Sequence, residues 1–407
     1  MSEWKCYKLS EISSLSNGIN FDKSAYTSGV KLIGVSDFKN RIHPDYDSLQ
    51  EVDSKVVKSG DYLEKGDIVF VRSNGNKELV GRCMMIDRDI PVTYSGFCIK
   101  LRLKDKKRFE PVFFNYLFRT RHFKKSMTGT AVGANIQNLS QSRLGNCEIN
   151  VPDIETQKRI ATILSRYDSL IENYQKQIKS LEEAARRLYK EWFVDLHLPG
   201  HENTKTVDGV PEGWEKKTIA DVCTNISSGS TPSRSNKAYW ENGTIKWVKT
   251  KELQDGWILD TEEYISQEGY NSSSTKMFPV NTILMAIYAS PTLGRLGILS
   301  TDCCCNQAAL GLIADENIIS WQWLFWKLYE LRDEFNAIAR GAGQQNISGI
   351  VVKNKEIIIP DKGVIDGFTS VVSKMFEQQK SLSSQIRLLT EARDRLLPKL
   401  MRGEIEI

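Results

Sequence analysis

The chain of 407 residues repeats itself. Glu148-Ile-Asn-Val-Pro152 recurs as Glu356-Ile-Ile-Ile-Pro360, 208 positions on. The same offset carries Gly133 to Gly341, Gln137 to Gln345, Asn138 to Asn346 and Ser140 to Ser348. It also carries Ile178, Leu181, Glu183, Ala184, Arg187 and Leu188 to Ile386, Leu389, Glu391, Ala392, Arg395 and Leu396. Upstream the register drifts, as loop insertions would make it drift: Trp4 matches Trp214 at an offset of 210, and Gly81-Arg82 matches Gly294-Arg295 at 213. Coincident identities at one offset mark an internal duplication. Whatever one half folds into, the other half must follow.

Each half reads as a globular unit followed by a helical one. The expected segments are 1–152, 153–198, 199–360 and 361–407. In the first globule, short β-rich stretches at 31–35, 67–71 and 93–103 precede an amphipathic helix over 111–127, with Pro111 in its first turn. In the second, strands are expected at 244–248, 281–289, 295–299 and 308–313, and the matching helix at 320–340. Trp321, Trp323 and Trp326 lie on that helix, and core packing is the expected role of at least two of them. Both globules therefore read as α/β or α+β.

The helical units carry a heptad. From Ile154 to Phe193 there is neither Gly nor Pro, and apolar residues recur at Ile160, Leu164, Tyr167, Ile171, Tyr174, Ile178, Leu181, Ala185, Leu188 and Trp192. Steps of four and three make a narrow seam for another long helix. Forty residues would give roughly 60 Å of helix. The second copy, over 365–401, supplies Phe368, Val372, Met375, Leu382, Ile386, Leu389, Leu396 and Leu400, interrupted by Gln379 and Arg393. Pro398 should bend or end its last turn. If the two copies pack with local twofold symmetry, these helices pair antiparallel. Two independent helical hairpins are the other arrangement.

Chemistry is sparse. There is no phosphate-binding Walker loop, no GxGxxG, no HExxH and no GxSxG. The four histidines, His43, His122, His197 and His201, lack metal-ligand spacing. No Pro-Pro occurs, which an amino-methyltransferase loop would carry, and a nuclease-like Glu215-Lys216-Lys217 is close to noise. Cys303, Cys304 and Cys305 are adjacent and no CxxC pair occurs, so buried reduced thiols are expected rather than zinc. No apolar run reaches the roughly 18 residues of a membrane span, and the opening residues lack an apolar signal core. The expectation is a cytoplasmic protein. Fifty-five basic against 51 acidic residues, net +4, permit nucleic-acid binding without arguing for it. Missing catalytic motifs point to a binding or scaffold protein.

Several segments carry a family resemblance. They are the helix Leu181-Glu-Glu-Ala-Ala-Arg-Arg-Leu-Tyr-Lys-Glu-Trp-Phe-Val194, and Glu391-Ala-Arg-Asp-Arg-Leu-Leu-Pro-Lys-Leu-Met-Arg-Gly-Glu-Ile405. Val210-Pro-Glu-Gly-Trp214, Gly343-Gln-Gln-Asn-Ile-Ser348 and the Ile-Ile-Ile-Pro360 ending fit as well. With the repeat layout, the chain resembles the specificity subunit of Type I restriction–modification enzymes over essentially its whole length. The first half departs from the pattern in opening with only Glu3-Trp4, and in having Ala134-Asn135-Ile136 where the second has Ala342-Gly343-Gln344.

The resemblance implies two α/β (α+β) target-recognition domains, each reading half of a split DNA sequence. It implies long helices forming an antiparallel coiled coil that sets the gap. It also implies two docked modification subunits that bind S-adenosylmethionine and methylate adenine N6, and restriction subunits that use ATP and Mg. No cofactor is expected in this chain. Twofold readers place domains about 34 Å apart on half-sites, which a rod of roughly 60 Å could span. The two globules differ in sequence, so the site should be bipartite and asymmetric. A fused methyltransferase–nuclease and a coiled-coil scaffold without a DNA role are the competing readings.

Base edges are read by Arg, Lys, Asn and Gln, and phosphates are held by Lys, Arg, Ser, Thr and backbone amides. Polar Gly-containing loops after strands are the best candidates. In the first half these are Arg72, Ser73, Asn74, Asn76, Lys77 and Arg82, with Asn135 and Gln137 in a second loop. In the second half they are Tyr288, Ser290, Thr292 and Arg295, then Gln344, Gln345 and Asn346. Lys249, Thr250 and Lys251 follow a strand and are candidate backbone contacts. The motif shared by Gln137-Asn-Leu-Ser140 and Gln345-Asn-Ile-Ser348 reads equally well as a feature of the fold, because specificity residues should differ between halves.

Overall fold

The computed structural model describes residues 4–38, 41–74, 79–128, 138–199, 206–207, 210–288, 292–341 and 346–407. The chain divides into two compact units, Met1–Leu170 with Leu389–Ile407, and Ile171–Leu388. Each unit takes one end of each long helix.

The first unit runs through β1 (Lys5–Lys8), α1 (Leu9–Ile12), β2 (Ser13–Asn17), β3 (Tyr26–Ile33), β4 (Gln50–Val52), β5 (Ile68–Val71), β6 (Cys83–Met85), β7 (Val92–Tyr94) and β8 (Cys98–Leu103). Then come α2 (Pro111–Arg119), α3 (Arg121–Thr128), α4 (Gln141–Gly145), β9 (Glu148–Val151) and the start of α5 (Ile154–Phe193). An antiparallel sheet has the order β2-β8-β5-β6, and a smaller one the order β4-β3-β7, with β3 and β7 parallel. The pair β1-β9 leads the chain into α5.

Strand β5, Ile-Val-Phe-Val, is apolar throughout because both its faces are covered. Ile68 and Phe70 meet Phe113, Phe114 and Phe118 of α2, while Val69 and Val71 meet Tyr94, Met84 and Ile33 on the other side. Each such side chain contributes about 1.5–3 kcal/mol of burial. Polar residues on β8 are buried only with partners. Arg102 donates to both carboxylate oxygens of the fully buried Asp67, at 2.8 and 2.7 Å. Lys100 donates to Gly60 O at 2.9 Å.

The second unit repeats the plan. Its elements are the end of α5, β10 (Thr206–Val207), β11 (Val210–Pro211), β12 (Glu215–Thr218), β13 (Cys223–Ser228), β14 (Ile245–Val248), β15 (Gly256–Ile258) and β16 (Glu263–Ile265). They continue with α6 (Gln267–Asn271), β17 (Ile283–Ala286), β18 (Leu296–Leu299), β19 (Cys304–Cys305), β20 (Ala309–Ala314), α7 (Trp321–Glu330), α8 (Arg332–Gly341), α9 (Gly349–Lys353), β21 (Glu356–Ile359) and α10 (Lys362–Leu400). The sheets β13-β20-β17-β18-β15, β16-β14-β19 and β12-β21 match those of the first unit strand for strand, apart from β15, which adds a parallel edge to β18.

Three expectations need correction. The stretch 93–103 is two strands, because a turn at Ser95–Phe97 separates them. The helix expected over 111–127 breaks at Thr120, which is extended (φ −64°, ψ 146°), and resumes as α3. Its counterpart likewise breaks, at Leu331. Trp323 and Trp326 are buried and Trp321 is half-buried against Trp257 and Phe376. All eight cysteines are free, and burial pushes the Cys304 thiol up to about 12.

The long helices pack together and run antiparallel. In the first unit Ile160, Ala161 and Leu164 of α5 share a core with Leu400 and Met401 at the end of α10. In the second, Ala185 and Tyr189 of α5 share one with Phe368, Val372 and Phe376 near the start of α10. The polar seam residues behave differently. Arg393 pairs with Asp168 at 2.5 Å, whereas Gln379 is buried and its Nε2 has no partner among the described residues. No described helix is long and apolar enough to cross a membrane.

Candidate nucleic-acid interface

In each unit one backbone arrangement brings the two candidate loops together. Ser73, just past β5, forms an antiparallel bridge with Asn138, and Leu139 N–H donates to Arg72 O at 2.7 Å. Tyr288, just past β17, forms the same bridge with Asn346, and Ile347 N–H donates to Ile287 O at 3.0 Å. Beneath each bridge the Leu139 or Ile347 side chain is buried, and the next residue, Ser140 or Ser348, caps α4 or α9. The shared Asn-Leu/Ile-Ser segment is thus explained by the fold.

The loops re-enter the sheet alike. Val71 N–H donates to Arg82 O, and Ala286 N–H to Arg295 O, both at 2.9 Å. The preceding glycines have φ of +80° at Gly81 and +79° at Gly294. A Cβ on Gly81 would lie 2.8 Å from Met127 Cε, and one on Gly294 2.8 Å from Arg332 Cγ. Only glycine satisfies both demands.

What the bridges present differs between units. In the first, Arg72, Ser73 and Asn74 are half-exposed, and Arg72 Nη1 donates to Gly96 O at 3.4 Å. In the second, Tyr288 is 40% exposed beside Thr292, whose hydroxyl donates to Tyr288 O at 3.3 Å, and Asn346 is exposed. Asn76, Lys77, Asn135, Gln137, Ser290, Gln344 and Gln345 lie outside the described residues.

The cluster Lys249–Lys251 is placed less favourably for DNA. Lys249 is paired with Glu263 at 2.6 Å and Glu262 at 3.3 Å, and Lys251 with Glu262 at 2.5 Å. These partners raise the Lys249 pKa and lower that of Glu262, so the charges already have carboxylates. Thr250 begins a 3₁₀ turn. Two sets of cations lie outside the loops that the sequence pointed to. Arg234 stacks on Trp240 with 3.6 Å between guanidinium and ring centre, in a polar loop after β13, and like Lys249 it already has a carboxylate, Glu263 at 2.6 Å. Arg119, Arg121 and Lys124 lie on helices, and the basic run over 119–125 is their signal in the sequence. Among the described residues there is no group of three metal-ligating side chains.

Comparison with known proteins agrees with this architecture. The family described as "Type I restriction modification DNA specificity domain" matches residues 1–183 and 211–386. The Type I restriction enzyme HindI specificity subunit of Haemophilus influenzae is 26% identical over 475 aligned residues, covering 100% of both chains. The MjaIX specificity subunit of Methanocaldococcus jannaschii is 29% identical over 300 residues, covering 72% of this chain and 68% of that one. The crystal structure of the Type I S subunit from M. genitalium superposes with a TM-score of 0.62 at 16% identity, over 98% of this chain and 96% of that one, and shows the same fold. Two duplicated globules, paired helices and these matches together place the chain in the family of Type I restriction–modification specificity subunits, the non-catalytic DNA-specificity components of those enzymes.

Proposed function

We propose that the chain reads a bipartite, asymmetric DNA sequence, with one half-site per globular unit, and that α5 and α10 set the gap between half-sites. Two modification subunits dock on it and methylate adenine N6 within the site, using S-adenosylmethionine. Restriction subunits add ATP- and Mg-dependent translocation and cleavage. This chain contributes the reading.

The observation that carries the proposal is the twice-built loop platform. The backbone bridge, the buried Leu139 or Ile347 and the capping Ser140 or Ser348 are common to both units. The residues presented differ: Arg72-Ser73-Asn74 against Tyr288 and Thr292. A constant scaffold with variable tips is what two unlike readers require, because base edges are told apart by side chains of matching donor and acceptor pattern.

The test is to sequence methylated adenines in cells expressing this chain with its modification subunit. Arg72→Ala should relax the first half of the methylated sequence and Tyr288→Ala the second, each by about 1–3 kcal/mol of discrimination at the affected bases. A methylated sequence that both variants leave intact would remove the loops from base reading.

A further inference from the structure

The first unit holds a cavity of about 720 Å³, open to solvent on one side, that the loop candidates only border. Arg82, at the root of the β5–β6 loop, lines it, and so do Arg41, Arg119, Arg121, Lys124 and Arg393. Two carboxylates also line it, Asp168 and Asp394, and Arg393 engages both, at 2.5 and 2.7 Å. Arg41 pairs with Asp45 at 2.8 Å. Arg119 spends Nη2 on the carbonyls of Arg41 and Cys83, and its buried Nε has no partner. Among the described residues, no carboxylate pairs with Arg119, Arg121 or Lys124.

The second unit supplies an internal comparison. Arg332 opens α8 as Arg121 opens α3. Both Nη atoms of Arg332 go to Asp255, and its Nε donates to Gly294 O at 2.8 Å. Asp255 begins the segment that flanks β18, its N–H donating to Leu296 O at 2.8 Å. In the first unit the segment flanking β6 is Arg41–Ile42, with Ile42 O accepting from Met85 N–H at 2.9 Å. The second unit therefore puts a carboxylate where the first puts a further cation. The shared fold does not require a cationic cavity. Clustered like charges and a buried N–H without an acceptor both oppose folding, and an anion would relieve both.

We propose that this cavity is a phosphate site, occupied by a backbone phosphate of the duplex beside the half-site read by the first unit. Guanidinium forks match phosphate oxygens in geometry and charge. Continuity with the β5–β6 loop through Arg82 favours the duplex over a free phosphorylated molecule. The inference rests on the proposed DNA reading and deepens it. Phosphate contacts fix register and carry no base information, so this site sets affinity and placement while the loops set sequence.

The test uses the full chain assembled with its modification subunit, and compares Arg121→Gln combined with Lys124→Gln against Arg72→Ala. Arg121 and Lys124 are exposed, and a melting temperature no lower than that of the unaltered protein confirms an intact fold. The double variant should bind the specific duplex about tenfold more weakly at physiological salt, with a log–log salt slope shallower by about 0.9 for each phosphate no longer neutralised. Its methylated sequence should be unchanged. A neutral methylphosphonate at one flanking position should weaken the unaltered protein and leave the double variant unaffected. Unchanged affinity and slope, with Arg72→Ala still altering discrimination, would overturn the phosphate site and leave the loops standing. If neither variant responds, the DNA reading fails with it. If the double variant loses only inorganic phosphate or ADP, measured by calorimetry, the duplex assignment is wrong.

Discussion

Leu139 and Ile347 each tie a candidate loop to the strand before it through one backbone hydrogen bond, and each buries its side chain below that bond. Leu139→Ala should lower stability by about 2–5 kcal/mol in denaturant titration, because the cavity is only partly refilled. It should also blur recognition in the first half-site alone. A second residue-level consequence concerns pH. Burial, with Asp255 and Glu183 nearby, raises the Glu182 carboxyl above its usual range. The folded state then holds that proton more tightly than the unfolded chain does. Stability falls as pH rises from the unfolded pKa through the folded one, and the penalty persists above it. Glu182→Gln should therefore raise the melting temperature at about pH 8 and change it little near pH 4. An equal shift at both would assign the effect to packing.

Among elements, α5 is legible as one long helix from its heptad, but its end is not: the expected segment reaches residue 198, whereas the helix stops at Phe193 although no Gly or Pro stands between it and Pro199. In α10 the seam runs through Phe376, where the sequence pattern favoured Met375. Periodicity cannot choose between adjacent apolar residues, but the aromatic cluster with Trp321, Phe325 and Trp326 does. The alternation over 93–103 concealed a turn. Gly96 was its mark, for a Cβ there would lie 2.0 Å from Asn20 Oδ1, and that neighbour is distant in sequence. If α5 and α10 set the half-site gap, deleting one heptad near Tyr174–Leu181 and its partner should change the spacing of the methylated sequence and leave both halves of it intact. Spacing that stays the same would refute the ruler.

For the whole molecule, the duplication made most of the fold readable, because each half checked the other. The candidate loops followed from strand ends and polar turns. The cationic cavity did not: Arg41, Arg82, the 119–124 run and Arg393 come from four places in the chain and meet only when the first unit folds. That unit joins Met1–Leu170 to Leu389–Ile407, whereas the other, Ile171–Leu388, is one continuous stretch. On the ribosome the order of completion is therefore reversed. The unit whose synthesis begins first must wait with Ile160 and Leu164 uncovered until Leu400 and Met401 emerge, by which time the later one already has all of its own residues.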